Sequence, residues 1–183
     1  MAILTIRYWP DPILKQKGEP VEVFDEALRR TLDDMAETMY ANRGIGLAAQ
    51  QVGLTKRMFV CDVPPEAEGE KGSGLLYVVN PRIVRRDGEV TWNEGCLSFP
   101  GLEIDVKRAE RVLVRYQDAD GRPHELDARG LLAVCFQHEG DHLDGVVFTD
   151  RLGPVSRRMA LREYERLRRE ARQASAEGPR PSG

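Results

Sequence analysis

Four apolar positions near the N-terminus recur with helical spacing. They lie at intervals of four, three and four residues: Leu28, Leu32, Met35 and Met39. Residues spaced in this way share one face of a helix. Asp25 is a good N-cap before them, and Asn42 and Gly44 favour the end of a helix. The pattern therefore predicts a helix that follows Asp25 and ends near Asn42.

The pattern then changes to short apolar stretches separated by turns. GIGLAAQQVG at residues 44–53 is rich in glycine and alanine, so we interpret it as a loop that forms the wall of a site. RMFVCD at 57–62 predicts a strand, and PPEAEGEKGSG at 64–74 a solvated loop. Further strands are predicted for LLYVVN, RIVRR, EVTWN, ERVLVRYQD and RPHELDA, divided by Pro81, Asp87-Gly88 and Asp120-Gly121. These turn residues indicate hairpins, and hence antiparallel sheet.

Helical periodicity returns in the last third of the chain. One helix is predicted from about Gly130 to Leu143, and a second, highly charged helix from Ser156 to about Gln173. The last ten residues, 174–183, are expected to be disordered. We therefore predict an α+β fold in a single domain, residues 1–173. Antiparallel sheets pack around the central helix 130–143, with an N-terminal and a C-terminal helix on either side.

Composition excludes several classes of protein. The chain has 183 residues with a formal net charge of −3, which argues against DNA binding. It has no apolar run of about 18 residues, so a membrane protein is not expected. The first twelve residues lack the features of a secretory signal, and we expect a cytoplasmic protein.

The three cysteines differ in their surroundings. An odd number of cysteines without an export signal does not indicate a disulfide scaffold. Cys61 and Cys135 lie within apolar stretches and are predicted to be buried core residues. Cys96 lies in NEGCLSFPG, where the chain must turn among polar residues. A reactive or metal-bound thiol suits that position better than a packing role.

The segment QHEGDHLDG carries the most informative chemistry. His138 and His142 are four residues apart on the predicted helix, so both imidazoles can bind one metal ion. Glu139 lies beside them, where a general base is needed. A catalytic metal usually has three protein ligands. Cys96 is the best candidate for the third, with His124, Glu163 and Glu165 as weaker alternatives.

Three segments together resemble the peptide deformylases: GIGLAAQQ at 44–51, EGCLSFP at 94–100 and QHEGDHLDG at 137–145. The resemblance implies a hydrolase that removes the formyl group from N-formylmethionyl peptides and releases formate. It implies Cys96, His138 and His142 as metal ligands, Glu139 as general acid and base, and Gln51 and the Leu97 N–H as donors to the developing oxyanion. It also implies Fe2+ as the metal, with zinc, nickel or cobalt able to occupy the same site. Gly140 departs from the family, which usually has a larger apolar residue there.

Selection of methionine requires an apolar pocket beside the metal. Three residues lie three, four and seven positions before His138 on the same helix face: Cys135, Val134 and Leu131. Ile45 is expected to close the pocket, and Gly44 and Gly46 to admit the peptide backbone. The alternative is that Leu131 and Val134 are ordinary core residues. Arg108 is a further candidate, for steering the substrate backbone.

The charged C-terminal helix carries seven arginines against three glutamates. Because a deformylase acts on nascent chains, this basic helix is a candidate for docking on the ribosome. Ion pairs on a solvated helix are the alternative explanation. Two other functions are considered: another HExxH metallohydrolase, and a non-catalytic zinc-binding module. The second is disfavoured because a structural zinc site needs a fourth protein ligand and has no use for Glu139 or Gln51.

Overall fold

The computed structural model describes residues 2–68 and 70–177, and within them the fold is built from three α-helices and seven strands. The helices are α1 (Glu26–Ala41), α2 (Gly130–Leu143) and α3 (Pro154–Glu177). The strands are β1 (Gly46–Ala48), β2 (Met58–Cys61), β3 (Leu76–Asp87), β4 (Val90–Gly95), β5 (Glu103–Arg108), β6 (Arg111–Gln117) and β7 (Pro123–Arg129). Short 3-10 helices cover Pro12–Lys15, Ala49–Val52 and Phe148–Arg151. The predicted α+β class is confirmed.

All strands pair in antiparallel fashion and form two sheets. The larger has the order β1-β2-β3-β6-β7, and the smaller consists of β4 and β5. Pro81 was expected to separate two strands, but it lies inside the twelve-residue strand β3. The register to β6 shifts between Val79 and Arg82. A bulge at this point tolerates a residue without an N–H, so the strand continues.

Two other predictions about strands were wrong or incomplete. Residues 44–53 were expected to form a loop, yet Gly46–Ala48 pairs with β2 and is completely buried, and Ala49–Val52 forms a 3-10 helix. Small residues are favoured here because α2 packs closely over this edge of the sheet. Strand β5 was not predicted at all. Its six residues pair with β4 and place the loop that carries Cys96 between two strands.

Helix α1 begins and ends as predicted. The Asp25 carboxylate accepts a hydrogen bond from the Leu28 N–H at 2.9 Å, and Asn42 is the C-cap. Leu32, Met35 and Met39 are fully buried against β1 and β2.

Helix α2 lies between the two sheets. Ala133, Phe136 and Leu143 pack against the large sheet, together with the buried Cys61 and Cys135. The prediction that both cysteines are core residues is confirmed. The opposite face of α2 meets the small sheet, where the His138 Nδ1 lies 2.8 Å from a carboxylate oxygen of Glu94 on β4. The central position of the predicted metal helix is therefore correct.

Helix α3 packs against the small sheet and its connecting loop. Tyr164 is buried, its ring lies 5.0 Å from that of Phe99, and its hydroxyl donates to the carbonyl oxygens of Trp9 and Ser98. The helix continues through Glu177, four residues beyond the predicted end. The rest of the predicted disordered tail, 178–183, lies outside the described residues, and the single-domain boundary stays a prediction. No helix in the described part of the chain has the length and apolar character to cross a bilayer.

Candidate metal centre and active site

Three side chains converge where the small sheet meets α2. The ligand atoms of Cys96, His138 and His142 all lie within 4.8 Å of one another. The two histidines stand one turn apart on α2, and Cys96 follows the end of β4. The Cys96 Sγ lies 3.4 Å from the His142 Nε2. A thiolate and two imidazoles within this space form a donor set that suits iron or zinc.

The orientation of the histidines also fits a metal. The His138 Nδ1 lies 2.8 Å from a Glu94 carboxylate oxygen, so its Nε2 is left to act as the ligand. Burial alone lowers the pKa of His138, but hydrogen bonds with Cys96 and Glu94 hold that pKa well above its usual value. Burial and the neighbouring His138 hold the pKa of His142 well below its usual value. His142 is therefore a neutral ligand, and its buried Nδ1 has no hydrogen-bond partner among the described residues.

Glu94 belongs to a buried ionic network behind the ligands. Arg108 donates to both Glu94 oxygens at 2.7 and 3.0 Å and to Asp141 at 2.6 Å. Arg151 binds the same Asp141 from outside, with its Nε at 2.9 Å. Burial raises the pKa of Glu94, but the hydrogen bonds with Arg108 and His138 outweigh this effect and lower the pKa to about 2. Arg108 is only 5% exposed, so it holds this network and cannot steer a substrate as predicted.

Glu139 is buried beside the ligands with one oxygen free. Its Oε2 has no hydrogen-bond partner among the described residues. Burial raises the pKa of Glu139, opposed by His138 and aided by Glu94, to about 7. A Cβ on Gly46 would lie 2.5 Å from the Glu139 Oε1. Gly46 is therefore required for the position of this carboxylate, a reason that the sequence did not reveal.

Gln51 and Leu97 lie next to Cys96. The Gln51 Oε1 accepts a hydrogen bond from the Ala48 N–H at 2.9 Å, which fixes the side chain. Its Nε2 then points to the Cys96 Sγ at 3.5 Å and the Ser98 Oγ at 3.2 Å. The Phe99 N–H donates to the Cys96 carbonyl at 2.9 Å and closes a turn. Leu97 is the second residue of that turn, whose own N–H the turn does not use.

A cavity of about 490 Å³ opens in front of these groups. All six predicted pocket residues line it: Gly44, Ile45, Gly46, Leu131, Val134 and Cys135. Val134 and Cys135 are almost completely buried, and Leu131 is half-buried. A Cβ on Gly44 would lie 2.7 Å from the Leu97 Cδ1, so this glycine makes room for Leu97.

Sequence reasoning missed several residues of this cavity. Trp92, Leu102 and Phe99 line it from the small sheet and its connecting loop, and Tyr8 from the N-terminal segment. Alternation along EVTWNEG offered a signal, because it places Trp92 on the same strand face as Glu94. The sequence pattern gave no such signal for Tyr8, because its segment forms no regular secondary structure.

The weaker candidates for the third ligand lie elsewhere. His124 hydrogen-bonds to Asp118 at 2.8 Å on the large sheet, and Glu163 pairs with Arg166 on α3. Glu165 is exposed on the same helix.

Comparisons with known proteins agree with this geometry. A model of the polypeptide deformylase family matches residues 3–158. The peptide deformylase of Chromobacterium violaceum is 52% identical over 155 residues, 85% of this chain and 90% of that protein. That of Alkalilimnicola ehrlichii is 48% identical over 172 residues, 94% of each chain. A crystal structure of the Legionella pneumophila peptide deformylase superposes with a TM-score of 0.85 at 43% identity, covering 97% of this chain and 100% of that one.

The chain belongs to the polypeptide deformylase family. The predictions of this family, of a metal-dependent deformylase and of a Cys, His, His metal site are therefore confirmed.

Proposed function

We propose that the chain removes the formyl group from the N-terminal formylmethionine of new proteins, with Glu139 as general acid and base. The observation that carries this proposal is the free, buried Glu139 Oε2 beside three converging ligands. A carboxylate held in this way can take a proton from water and pass it on.

Cys96, His138 and His142 would hold a divalent metal, which supplies Lewis-acid activation of water and of the formyl carbonyl. Glu139 accepts the proton of the attacking water at Oε2. Charge then develops on the formyl oxygen, which would accept hydrogen bonds from the Gln51 Nε2 and the Leu97 N–H. Glu139 returns the proton to the leaving nitrogen as the C–N bond breaks. The products are formate and a free N-terminal amine.

The cavity supports selection of methionine. Leu131, Val134 and Ile45 offer an apolar wall beside the metal ligands, and an unbranched thioether side chain fits an irregular apolar space. Arg43 and Asn42 border the same cavity, where an extended peptide backbone would leave it.

Fe2+ is the proposed metal, with zinc, nickel or cobalt able to replace it. The thiolate and imidazole donors accept all four, and the likeness to deformylases favours iron. Metal analysis of anaerobically purified protein should find iron, and exposure to oxygen should end activity through oxidation of metal and thiolate. Iron-loaded protein that keeps full activity after prolonged aeration would contradict this assignment.

Docking on the ribosome is proposed for one face of α3. Arg158, Arg162, Arg169 and Arg172 lie within a narrow arc of this helix, are exposed, and have no ion pair among the described residues. Deleting α3 would also remove the buried Tyr164, so alanine substitution of the four arginines is the better test. Co-sedimentation with ribosomes should fall. A matched variant at Arg30, Arg85, Arg115 and Arg122 should leave it unchanged, and equal co-sedimentation of both variants would exclude docking by α3. We infer a cytoplasmic location from the nascent substrate.

Anaerobic turnover of formyl-Met-Ala-Ser, measured as released formate, tests the reaction. We expect release by the Fe2+ form, and a loss of about 100-fold or more in Glu139→Ala. Hydrolysis of an internal amide without formate release would instead indicate another HExxH hydrolase. No turnover by folded, metal-loaded protein would favour a zinc-binding module.

A further inference from the structure

A second cavity lies on the opposite side of α2 from the active site. The active-site cavity is lined by one face of the helix, with Leu131, Cys135 and His138. The second is lined by Phe136, Gly140 and Asp144, which lie about half a turn away by the 3.6-residue repeat. It has a volume of about 950 Å³ and is walled by β3 and the turn between β5 and β6. We call it the rear cleft.

The rear cleft is strongly basic. Its cationic residues come from four separate segments: Arg57, Arg82, Arg86, Lys107, Arg108 and Arg151. Three carboxylates oppose these six charges: Glu89, Asp141 and Asp144. This local excess of positive charge contrasts with the formal net charge of −3 for the whole chain.

The pairing of these charges shows which of them are available to a ligand. Arg57 pairs with Asp144 at 2.7 Å, and Lys107 with Glu89 at 3.1 Å. Arg108 and Arg151 are paired with the two carboxylates of Glu94 and Asp141. Arg82 and Arg86, by contrast, make no ion pair with any described residue. Both arginines line the cleft, and their donors are unused by protein carboxylates; Arg82 also borders a smaller cavity that Tyr116 and His124 line.

Gly140 leaves the floor of the cleft open. A Cβ at this position would meet nothing within 4 Å. The helix backbone at Gly140 is therefore accessible between Phe136 and Asp144, and the partly buried Ile83 lines the cleft beside it. A cleft with a basic rim can hold a small molecule that carries more than one anionic group.

We propose that the rear cleft is a binding site for a small phosphate-bearing molecule, held by Arg82 and Arg86. Guanidinium groups bind phosphate oxygens in a bidentate manner, which suits phosphate better than a simple anion. Arg57 and Arg151 line the same cleft, each already paired with a carboxylate. The concave shape favours a small molecule over a nucleic acid duplex.

Calorimetric titration of the metal-loaded enzyme with fructose 1,6-bisphosphate at low ionic strength tests this site. We expect saturable binding of one molecule per chain. Arg82→Ala with Arg86→Ala should weaken it at least about tenfold, through loss of the phosphate donors. Gly140→Met should weaken it comparably, because it fills the floor without changing charge. Arg30→Ala with Arg122→Ala removes the same charge from exposed positions outside the cleft and should have no effect.

Three results would overturn the proposal. One is the absence of saturable binding. Another is equal affinity in the wild type and both rear-cleft variants, which would place the anion elsewhere, including at the metal. The third is tight binding of a uridine hexanucleotide that depends on Arg82 and Arg86 while the bisphosphate does not bind. That result would identify an RNA strand as the occupant.

Discussion

The two glycines of the GIG segment are needed because side chains from elsewhere occupy the space of their missing Cβ atoms. Gly46 faces the carboxylate of Glu139, and Gly44 faces the side chain of Leu97. Both partners belong to the proposed catalytic machinery. A glycine-rich segment near an active site is usually explained by access for a ligand, whereas here the close approach is within the protein.

Gly46→Ala should therefore act on catalysis rather than on the fold alone. The new methyl group, 2.5 Å from the Glu139 Oε1, must displace that carboxylate. We expect formate release to fall about 100-fold, as for a misplaced general base. Gly153→Ala is the control, since a Cβ there meets nothing within 4 Å. Full activity of Gly46→Ala would mean that the position of Glu139 is not critical.

At Gly140, by contrast, we expect substitution by alanine to stabilise the protein. Its place in the middle of α2 costs helix propensity, and no neighbour occupies the space of its Cβ. Gly140→Ala should raise the free energy of unfolding by about 1 kcal/mol, measured by urea denaturation. Gly145→Ala provides the contrast: its φ is +71° and its Cβ would lie 2.4 Å from the Lys15 carbonyl oxygen, so it should destabilise the protein. A destabilised Gly140→Ala would show that the open floor of the rear cleft has another structural purpose.

Much of the site could be predicted from residue types and spacing. The HExxH spacing on a helix identified His138, His142 and Glu139 because helical geometry alone brings them together. Cys96 could be identified because it lies in a turn rich in polar residues. The environment of Arg108 could not be predicted, because its partners Glu94 and Asp141 lie on other elements. Nothing in the local sequence distinguishes a buried arginine of this kind from a surface one.

At the scale of elements, the prediction failed where neighbouring elements override local preference. Residues 46–48 form a strand because β2 offers a pairing edge and α2 covers them, although glycine and alanine disfavour strands. Strand β5 likewise depends on β4. The helices were predicted best, because the periodicity of an amphipathic helix is contained in its own sequence.

The Asp150 carboxylate links three helical elements: Pro12–Lys15, its own 3-10 helix Phe148–Arg151, and α3. It accepts a hydrogen bond from the Val147 N–H at 3.0 Å and ion-pairs with Lys15 and, at 3.2 Å, with Arg157 of α3. Burial raises the pKa of Asp150, but the Lys15 and Val147 hydrogen bonds outweigh it and lower the pKa below its usual value. The carboxylate therefore stabilises the fold above its unfolded pKa of about 4, and this contribution is lost as pH falls through the lower folded value.

Asp150→Asn should consequently be less stable than the wild type near neutral pH, by about 1–3 kcal/mol in urea unfolding. The difference should persist at pH 5 and shrink progressively below about pH 4, where the wild-type carboxylate becomes neutral as well. Asp105→Asn, on the exposed side of β5, is a suitable control. A stability difference that stays constant from pH 5 to pH 3 would contradict this account.

At the scale of the whole molecule, the buried ionic network joins the small sheet to the metal helix. Arg108 ends β5, Glu94 lies on β4, and Asp141 lies on α2 beside His142. The network also orients His138, because the Glu94 oxygen that holds its Nδ1 is fixed by Arg108. The assembly of the small sheet and the preparation of the metal ligands therefore depend on one side chain.

Arg108→Met retains much of the side-chain volume but leaves Glu94 and Asp141 without their shared partner. We expect a loss of about 3–5 kcal/mol in unfolding free energy, because among the described residues buried Glu94 keeps only His138 as a partner and Asp141 keeps only Arg151. Metal affinity, measured by competition with a chromogenic chelator, should fall about 10–100-fold as His138 loses its fixed orientation. Glu94→Gln in the Arg108→Met background removes one uncompensated charge and should recover part of the stability without restoring metal affinity. Recovery of both would mean that the charge of Glu94, rather than its hold on His138, sets the affinity of the site.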